Sequence, residues 1–384
     1  MGVTTDVRDL IKGIYERGDV SGIVKFIKDT SERIKRLVKI MNFCGTHEWT
    51  ISHYGIRSLM PRNIDLIAGP GCPVCVTPGC YVRELAKLSF EGYHILTYGD
   101  AFKLPSGRVS DDRLKSLASA KSYGGKVSIV YSFLDAVKLA RKHPSENFIF
   151  FAVGFETTMP STAELLKSNS VPKNLMILST YRLTPPIMDY LLSSGRARLD
   201  GVIAPGHVSA VIGAGAWEFV PRKYGVATVV AGFEPADVIL AIAAILKCLE
   251  EGKALLINEY VRVVKYGGNP RAKKLINEVY DVVDAYWRGI GIVESSGAVL
   301  KDKYSDHDAS KQLGIKEEVG TDELPGCRCG DVVLGIAKPT DCPLFMKVCK
   351  PDTPYGPCMV SSEGTCRIWY ENLPVVLNDS IPTS

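Results

Sequence analysis

The 384-residue sequence contains no dense block of lysine and arginine, and its formal net charge is only +4 at pH 7. Proteins whose main partner is a nucleic acid usually concentrate basic residues in one segment or on one face. Long hydrophobic runs are missing as well, because the most apolar stretch, Ala236 to Leu249, is too short to cross a bilayer. The first ten residues are polar and carry two aspartates, unlike a signal peptide. We therefore expect a cytoplasmic protein that binds neither nucleic acid nor a membrane.

Two common catalytic motifs are also missing. None of the glycine-rich loops has the spacing of a P-loop or of a dinucleotide-binding fingerprint, and no GxSxG nucleophile elbow occurs. Gln312 is the only glutamine, a scarcity that favours a thermophilic source. Neither nucleotide binding nor serine hydrolase chemistry is supported.

What the sequence does contain is eleven cysteines, within a composition of 46% hydrophobic and 23% charged residues that is typical of globular proteins. In a reducing compartment, so many cysteines indicate metal or redox chemistry more than a disulfide scaffold, although proteins of hyperthermophiles are an exception.

Short apolar runs alternate with helical stretches along most of the chain, which predicts parallel sheets built from βαβ units. The predicted strands are Leu37 to Met41, Ile64 to Ala68, Tyr93 to Thr97, Lys126 to Val130, Phe148 to Val153, Leu175 to Ser179, Val202 to Ala204 and Ala227 to Ala231. Apolar residues at helical spacing predict two amphipathic helices over Asp6 to Arg36, and further helices over Ser132 to Lys142, Ala236 to Glu250 and Arg271 to Arg288.

A weak internal repeat indicates two related halves. Ile64 to Cys72 (IDLIAGPGC) resembles Leu199 to His207 (LDGVIAPGH), and an earlier strand precedes each copy and ends in a threonine-containing loop. The predicted fold class is therefore α/β, with two similar Rossmann-like parallel-sheet lobes around a cleft. We place the first lobe at residues 1–125, the second at 126–255, and a helical segment with a cysteine-rich region at 256–384.

The loops that follow the first two predicted strands carry the most reactive side chains. Cys72 and Cys75 form a CxxC pair, which can close a disulfide or hold a metal, although two buried structural cysteines would give the same pattern. Cys44 and His47 follow the preceding strand, with Glu48 next to them, and together supply ligands suited to a transition metal. A lone cysteine near a lone histidine is more often structural. Adjacent parallel strands would nevertheless bring both loops to one sheet edge.

Three polar residues of the second predicted lobe are candidates to complete this site: His207, Glu156 and Glu234. Each is at least as well explained as a buried polar group whose hydrogen bonds are satisfied within the protein.

The C-terminal region contains six cysteines interleaved with prolines: Cys327, Cys329, Cys342, Cys349, Cys358 and Cys366. Such a proline-rich segment cannot fold on a core of its own, so a metal or covalent bridges must hold it together. Zinc sites usually contain two closely spaced cysteine pairs, whereas iron-sulfur clusters accept wider spacing. The spacing here favours an iron-sulfur cluster over zinc, and zinc over disulfides.

Together, these motifs resemble those of the HypD family of [NiFe]-hydrogenase maturation proteins. The resemblance covers nearly the whole chain and depends on NFCGTHE at 42–48, GPGCPVCV at 69–76, GFETT at 154–158, PGHV at 205–208, GCRCG at 326–330, DCP at 341–343 and GPCMV at 356–360. Met159 departs from the family pattern, which has a smaller residue there, but it lies at no catalytic position.

The resemblance implies an assembly scaffold that works with the small partner HypC. On it, an Fe(II) ion receives two cyanides and one carbon monoxide, and the cyanide arrives from HypE as a thiocyanate. The chain alone would be a monomer.

The resemblance also implies a role for each reactive residue. Cys44 would be the iron ligand or the cyanide-receiving thiol, His47 its neighbour, and Cys72 with Cys75 a redox-active pair. The ligands of a [4Fe-4S] cluster would be Cys327, Cys342, Cys349 and Cys366. Cys329 and Cys358 would then form a disulfide near the cluster, as in ferredoxin-thioredoxin reductase.

Two other functions stay open at this point. One is an iron-sulfur-dependent dithiol/disulfide oxidoreductase of the ferredoxin-thioredoxin reductase type, in which Cys72 and Cys75 reduce a client disulfide and no second iron is held. The other is a binding module whose C-terminal region is a structural zinc site. A simple disulfide reductase would not need Cys44 and His47, so this pair distinguishes the scaffold from the reductase.

Overall fold

The alternating strands and helices form two parallel β-sheets in the computed structural model, which describes residues 20–322 and 324–372. The strands are β1 (Val38–Asn42), β2 (Ile64–Ala68), β3 (Tyr93–Thr97), β4 (Val127–Ile129), β5 (Asn147–Ala152), β6 (Leu175–Ser179), β7 (Tyr181–Arg182), β8 (Gly201–Pro205), β9 (Ala227–Ala231), β10 (Leu256–Asn258), β11 (Tyr280–Trp287) and β12 (Gly291–Leu300). The helices are α1 (Val20–Ile34), α2 (Gly45–His53), α3 (Ile56–Leu59), α4 (Gly79–Leu88), α5 (Leu117–Ser122), α6 (Phe133–Lys142), α7 (Met159–Lys167), α8 (Thr184–Ser193), α9 (Gly206–Ile212), α10 (Phe219–Tyr224), α11 (Pro235–Glu250), α12 (Pro270–Val279), α13 (Ala309–Leu313), α14 (Cys329–Val333) and α15 (Thr365–Glu371).

The larger parallel sheet has five strands in the order β10-β9-β8-β1-β2, so β1 lies between β8 and β2. Ile40 of β1 is in register with Leu66 on one side and with Gly201 on the other. The second parallel sheet has the order β4-β3-β5-β6, and a small antiparallel sheet has the order β11-β12-β7. The predicted α/β class with two parallel sheets is confirmed.

The two parallel sheets do not follow one another along the chain. The larger sheet combines strands from residues 38–68 with strands from residues 201–258, whereas the second sheet is built from residues 93–179. This membership differs from the expected division at residue 125, because the chain leaves the larger sheet after β2 and returns to it at β8. The two copies of the sequence repeat are therefore the two neighbours of β1 in a single sheet.

The most apolar helix, α11, covers the larger sheet. It is buried along most of its length and packs against β9 and against α1, which contributes Ile23 and Ile27 to the same core. A helix that is apolar on nearly all sides is expected between other layers of the protein. Within residues 20–322 and 324–372, no helix combines the length and apolar character needed to cross a membrane. Of the two helices predicted near the start, α1 is the second, and the first lies outside the described residues.

One predicted helix is wrong in its second half. Arg271 to Arg288 was expected to be a single helix, but α12 ends at Val279 and β11 begins at Tyr280. The second half contains aromatic and β-branched residues that favour strands, and it pairs along its length with β12 in an antiparallel ladder. Pairing with a distant strand therefore outweighed the helical spacing of the apolar residues.

The C-terminal cysteine-rich region packs against the carboxyl end of β1. The indole nitrogen of Trp369 in α15 donates a hydrogen bond of 2.7 Å to the buried carboxylate of Glu48 in α2. The same carboxylate accepts hydrogen bonds from Arg57 at 2.8 Å and from the Asn42 amide at 2.8 Å. These bonds fix the last described helix onto the strand end that carries Cys44.

Candidate metal and thiol site

Cys44 lies between the end of β1 and the start of α2, and only 3% of it is exposed. Burial raises the pKa of its thiol to about 12, and the nearby carboxylate of Glu363 also raises it. The backbone N–H groups of Thr46 and His47 point to the sulfur and lower the pKa, but by less than burial raises it. The thiol is therefore protonated at neutral pH, and a metal that binds there must displace the proton.

The CxxC loop packs directly against the Cys44 loop, because β2 is the parallel neighbour of β1. The Gly69 N–H donates to the Asn42 carbonyl at 2.8 Å, and the Gly45 N–H donates to the Gly71 carbonyl at 3.4 Å. The prediction that both loops meet at one sheet edge is confirmed. Cys72 and Cys75 form a disulfide, and both are buried.

His207 approaches Cys44 from the other side. It follows β8, the second neighbour of β1, and its Nδ1 lies 3.8 Å from the Cys44 sulfur. Burial lowers the pKa of the imidazole, while the charges of Glu363 and Glu156 act in the opposite direction. A neutral imidazole nitrogen can therefore face the thiol at neutral pH, as metal ligation requires.

Glu363 completes this group and was not predicted from the sequence. A side chain at Gly45 would place its Cβ 2.4 Å from the carbonyl oxygen of Glu363, so only glycine lets this segment approach Cys44 so closely. Burial raises the pKa of Glu363, and the charge of His207 lowers it. The only sequence signal for Glu363 is its position between Cys358 and Cys366, which no spacing rule connects with Cys44.

Asp100 is a second acidic residue that sequence reasoning missed. It follows β3 and accepts a hydrogen bond of 3.3 Å from the hydroxyl of Ser361, which is two residues before Glu363. Its charge also raises the pKa of Glu363. Its position three residues after the end of a strand resembles that of Cys44 and could have identified it.

His47 supports the site but does not touch the thiol with its ring. Because a carbonyl can only accept, the His47 Nε2, 2.8 Å from the Gly232 oxygen, must be the donor. Its ring stacks on Phe233 at 4.7 Å, and Phe233 in turn contacts the His207 ring at 5.2 Å. Burial lowers the pKa of His47 to about 4, so the ring stays neutral. His47 thus positions the loop behind His207.

Glu156 and Glu234, the other two candidates from the sequence, form hydrogen bonds with residues other than Cys44. Glu156 is buried after β5 and accepts hydrogen bonds from the Thr184 N–H at 2.7 Å and from its hydroxyl at 3.1 Å. Burial raises the pKa of Glu156 to about 7, and the charge of His207 lowers it. Glu234 is exposed and precedes α11, where its N–H donates to the Asp237 carboxylate at 3.2 Å. The role of Glu234 is therefore structural, because it caps the start of α11.

The six C-terminal cysteines are brought into one region. The sulfurs of Cys329, Cys358 and Cys366 lie within 4.8 Å of one another and could hold a metal ion. Cys329 and Cys358, which the resemblance pairs as a disulfide, are both free thiols in the structure. A Cβ on Gly356 would lie 2.6 Å from the sulfurs of both Cys327 and Cys329, so glycine is needed to leave room for them. This all-sulfur donor set fits an iron-sulfur cluster or zinc.

Comparison with known proteins gives one consistent family. Residues 19–373 match the family model HypD, described as the hydrogenase formation hypA family. The chain is 44% identical over 361 residues to a putative hydrogenase expression/formation protein of Methanocaldococcus jannaschii, covering 93% of this chain and 98% of that protein. It is 40% identical over 346 residues to hydrogenase maturation factor HypD of Azotobacter vinelandii, covering 88% and 89%. With HypD of Cupriavidus necator the identity is 39% over 341 residues, covering 86% and 88%.

Proposed function

Because the chain belongs to the HypD family of hydrogenase maturation proteins, we propose that it is the scaffold on which the Fe(CN)2CO group of [NiFe]-hydrogenase is assembled. Iron is the substrate of this process and is bound together with HypC, while cyanide is delivered from HypE. The hydrogenase would receive the finished group, so the scaffold holds the iron only for the time of assembly.

The observation that carries this proposal is that a thiol, an imidazole and a carboxylate lie close together at the end of β1. The Cys44 sulfur and the His207 nitrogen are 3.8 Å apart, and the charge of Glu363 acts on both. A thiolate, an imidazole and a carboxylate are suitable ligands for Fe(II). Cys44 is buried, and His207 and Glu363 are half-buried, so little water could compete with cyanide and carbon monoxide for an iron beside the sulfur.

The neighbouring CxxC loop supports a redox role. Release of cyanide from a thiocyanate takes up two electrons and two protons, and gives a thiol and hydrogen cyanide. Conversion of the Cys72 and Cys75 dithiol to the disulfide releases two electrons and two protons, so the two half-reactions balance. The Cys72–Cys75 disulfide would be the product of this step.

The C-terminal region would hold a [4Fe-4S] cluster through Cys327, Cys342, Cys349 and Cys366, which leaves Cys329 and Cys358 as a thiol pair. Such a cluster, when bound, exchanges electrons one at a time. The sulfurs of the thiol pair, Cys329 and Cys358, lie within 4.8 Å of that of Cys366, which is a proposed ligand, and this supports a metal in the region with the pair beside it. Substitution of each cysteine in turn would identify the four thiolates that bind the cluster.

The test is the Cys44→Ala variant, produced with HypC and HypE and purified without oxygen. We expect it to keep the absorbance of the cluster, because Cys44 is not among the C-terminal cysteines. It should lose the additional iron and the infrared bands of metal-bound cyanide and carbon monoxide. Infrared spectroscopy and iron analysis measure the two effects on the same sample.

Cys248→Ala is the matched control, since Cys248 is also a free, buried thiol but lies in α11. It should keep both the iron and the infrared bands. If Cys44→Ala retained ligand-bearing iron in full, the scaffold proposal would fail at this residue. The dithiol oxidoreductase, which the Cys72–Cys75 disulfide favours, would then be the better assignment.

A further inference from the structure

The cysteine-rich region meets the solvent at one side. Cys327 and Cys329 are partly exposed, whereas Cys342, Cys349, Cys358 and Cys366 are buried. The two exposed cysteines line a surface cavity of about 360 Å³. Cys44, Cys72 and Cys75 are buried as well. An electron carrier that stays in solution therefore comes nearest to the thiols of this protein at Cys327 and Cys329.

Arginine is the dominant charged residue around this opening. Arg108, Arg288 and Arg328 line the cavity, together with Asp322 and Asp331 as the described acidic residues of its lining. Both acids are paired: Asp322 lies 3.6 Å from Arg288, and Asp331 lies 3.0 Å from Arg328. The excess charge of the described lining is therefore positive.

A second, larger hollow continues this surface. It has a volume of about 850 Å³, shares Arg108, Leu324 and Pro325 with the first, and adds Lys103 and Lys115. No acidic residue is among its described lining residues, although Lys115 also pairs with Asp112 at 2.6 Å on the exposed surface. Asp112 balances the charge of Lys115, so the excess positive charge of the described lining comes from Lys103 and Arg108. The rest of its lining contains three serines and mostly apolar residues, among them Val109, Leu324 and Tyr355.

The two arginines nearest the cysteines already form hydrogen bonds or ion pairs within the protein. Arg288 is 5% exposed, and its guanidinium donates to the Pro105 carbonyl at 2.6 Å and to the Asp322 carbonyl at 3.1 Å. Arg328 is paired with Asp331. These arginines contribute positive charge but have few free hydrogen-bond donors. Such an arrangement attracts a large acidic partner at long range better than it binds a small anion tightly.

Arg288 also connects this opening with the CxxC loop. Its backbone N–H donates a hydrogen bond of 2.9 Å to the carbonyl of Val76, the residue after Cys75. Its side chain lines the same cavity as Cys327 and Cys329. Arg288 therefore lies between the partly exposed cysteines and the loop that carries the Cys72–Cys75 disulfide.

We propose that the surface formed by Lys103, Arg108, Lys115 and Arg328 around Cys327 and Cys329 is the docking site of a small acidic one-electron carrier protein. This inference extends the function proposed above, because a scaffold that oxidises its dithiol must be reduced again. Two molecules of the reduced carrier each lose one electron. The Cys72–Cys75 disulfide gains these two electrons and two protons from water, and yields two thiols. An apolar centre with a charged rim is typical of such short-lived complexes.

The experiment uses the anaerobically purified full-length protein and follows thiol formation by stopped flow and quenched alkylation. The probes are a reduced plant-type [2Fe-2S] ferredoxin, which is acidic, and reduced methyl viologen, a small cation. We expect Arg108→Glu with Lys103→Glu to lower the second-order rate with ferredoxin by about tenfold or more at low ionic strength. The rate with ferredoxin should also lose most of its dependence on salt, while the rate with methyl viologen should not fall.

Two controls separate docking from damage. Arg108→Lys keeps the charge and should retain the rate with ferredoxin, and Lys173→Glu, an exposed lysine outside this surface, should leave it unchanged. Equal ferredoxin rates in the charge-reversal variant and the unaltered protein would overturn the proposal. So would inhibition by inorganic phosphate that is equally strong for both reductants, because the surface would then bind small anions. The rates do not depend on iron at Cys44, so a failure here is distinct from a failure of the scaffold function.

Discussion

The buried thiol of Cys44 should react as a thiolate only at strongly alkaline pH. Burial and the charge of Glu363 raise its pKa from 9.0 to about 12. At pH 7 the thiolate fraction is then about 10⁻⁵, compared with about 10⁻² for an ordinary cysteine, and the shift corresponds to about 4 kcal/mol. Alkylation of Cys44 by iodoacetamide should therefore rise about tenfold with each pH unit and show no plateau up to pH 10.

Mass spectrometry can follow this residue by itself. Trypsin should release residues 40–57, because Lys39 and Arg57 enclose a stretch without other lysine or arginine, and Cys44 is the only cysteine in that peptide. Pulses of iodoacetamide at a series of pH values, quenched and digested, give the rate for Cys44 alone. Unfolded protein is the reference and should level off near the ordinary pKa of cysteine.

Glu363→Gln tests the cause of the shift. Removal of this negative charge lowers the pKa of Cys44, so alkylation at a fixed pH should become faster. Glu294→Gln, which changes an exposed carboxylate on β12, is the matched control and should have no effect. A plateau below pH 9 in the unaltered protein would refute the reasoning, since it would show a thiolate stabilised by its surroundings. The same linkage predicts that iron binding at Cys44 releases a proton and tightens as the pH rises.

Four further predictions concern the rest of the molecule. Serine at any one of the proposed cluster ligands should abolish the brown chromophore, whereas a colourless protein that contains zinc would indicate a structural zinc site; these ligands are Cys327, Cys342, Cys349 and Cys366. Cys72 and Cys75 should resist alkylation until a reductant is added and then take up two labels, as measured by mass spectrometry. Glu156 has a pKa of about 7 in the folded protein against an ordinary value of 4.5, so its contribution to stability is present below pH 4.5 and lost as the pH rises through 7. Urea unfolding should therefore show that Glu156→Gln is more stable than the unaltered protein at pH 8, by up to about 3 kcal/mol, with little difference at pH 4. Arg57→Met should lower the free energy of unfolding by about 3–5 kcal/mol, because the buried carboxylate of Glu48 loses the partner that compensates its charge.

The part of the site that sequence reasoning predicted is the part formed by consecutive strands. Cys44 and the CxxC loop follow β1 and β2, and consecutive parallel strands usually pair, so their contact could be expected from local pattern alone. His207 was identified as a candidate because its loop repeats the sequence around Cys72. Its contact with Cys44 could not be predicted, since it requires β8 to return to β1 across more than a hundred residues.

The remaining differences have the same physical origin. Hydrophobic periodicity reports which face of an element is buried but not which distant element covers it. Glu363 reaches Cys44 through a backbone approach that Gly45 permits, and such an approach leaves no periodic signal. Residues 280–287 have the apolar spacing of a helix and the composition of a strand, and only the pairing with β12 decides between them.

The position of Glu363 has a consequence for the order in which the molecule is made. Residue 44 leaves the ribosome more than three hundred residues before Glu363, and N-terminal segments generally begin to fold first. Until the last segment is synthesised and Trp369 bonds to Glu48, the carboxylate beside Cys44 is absent and one side of its pocket is uncovered. The full set of donors around Cys44 therefore exists only in a chain that has been translated through its cysteine-rich region. If the proposed function is correct, a nascent or truncated chain lacks part of the donor set around Cys44, and iron can be loaded only after the chain is complete.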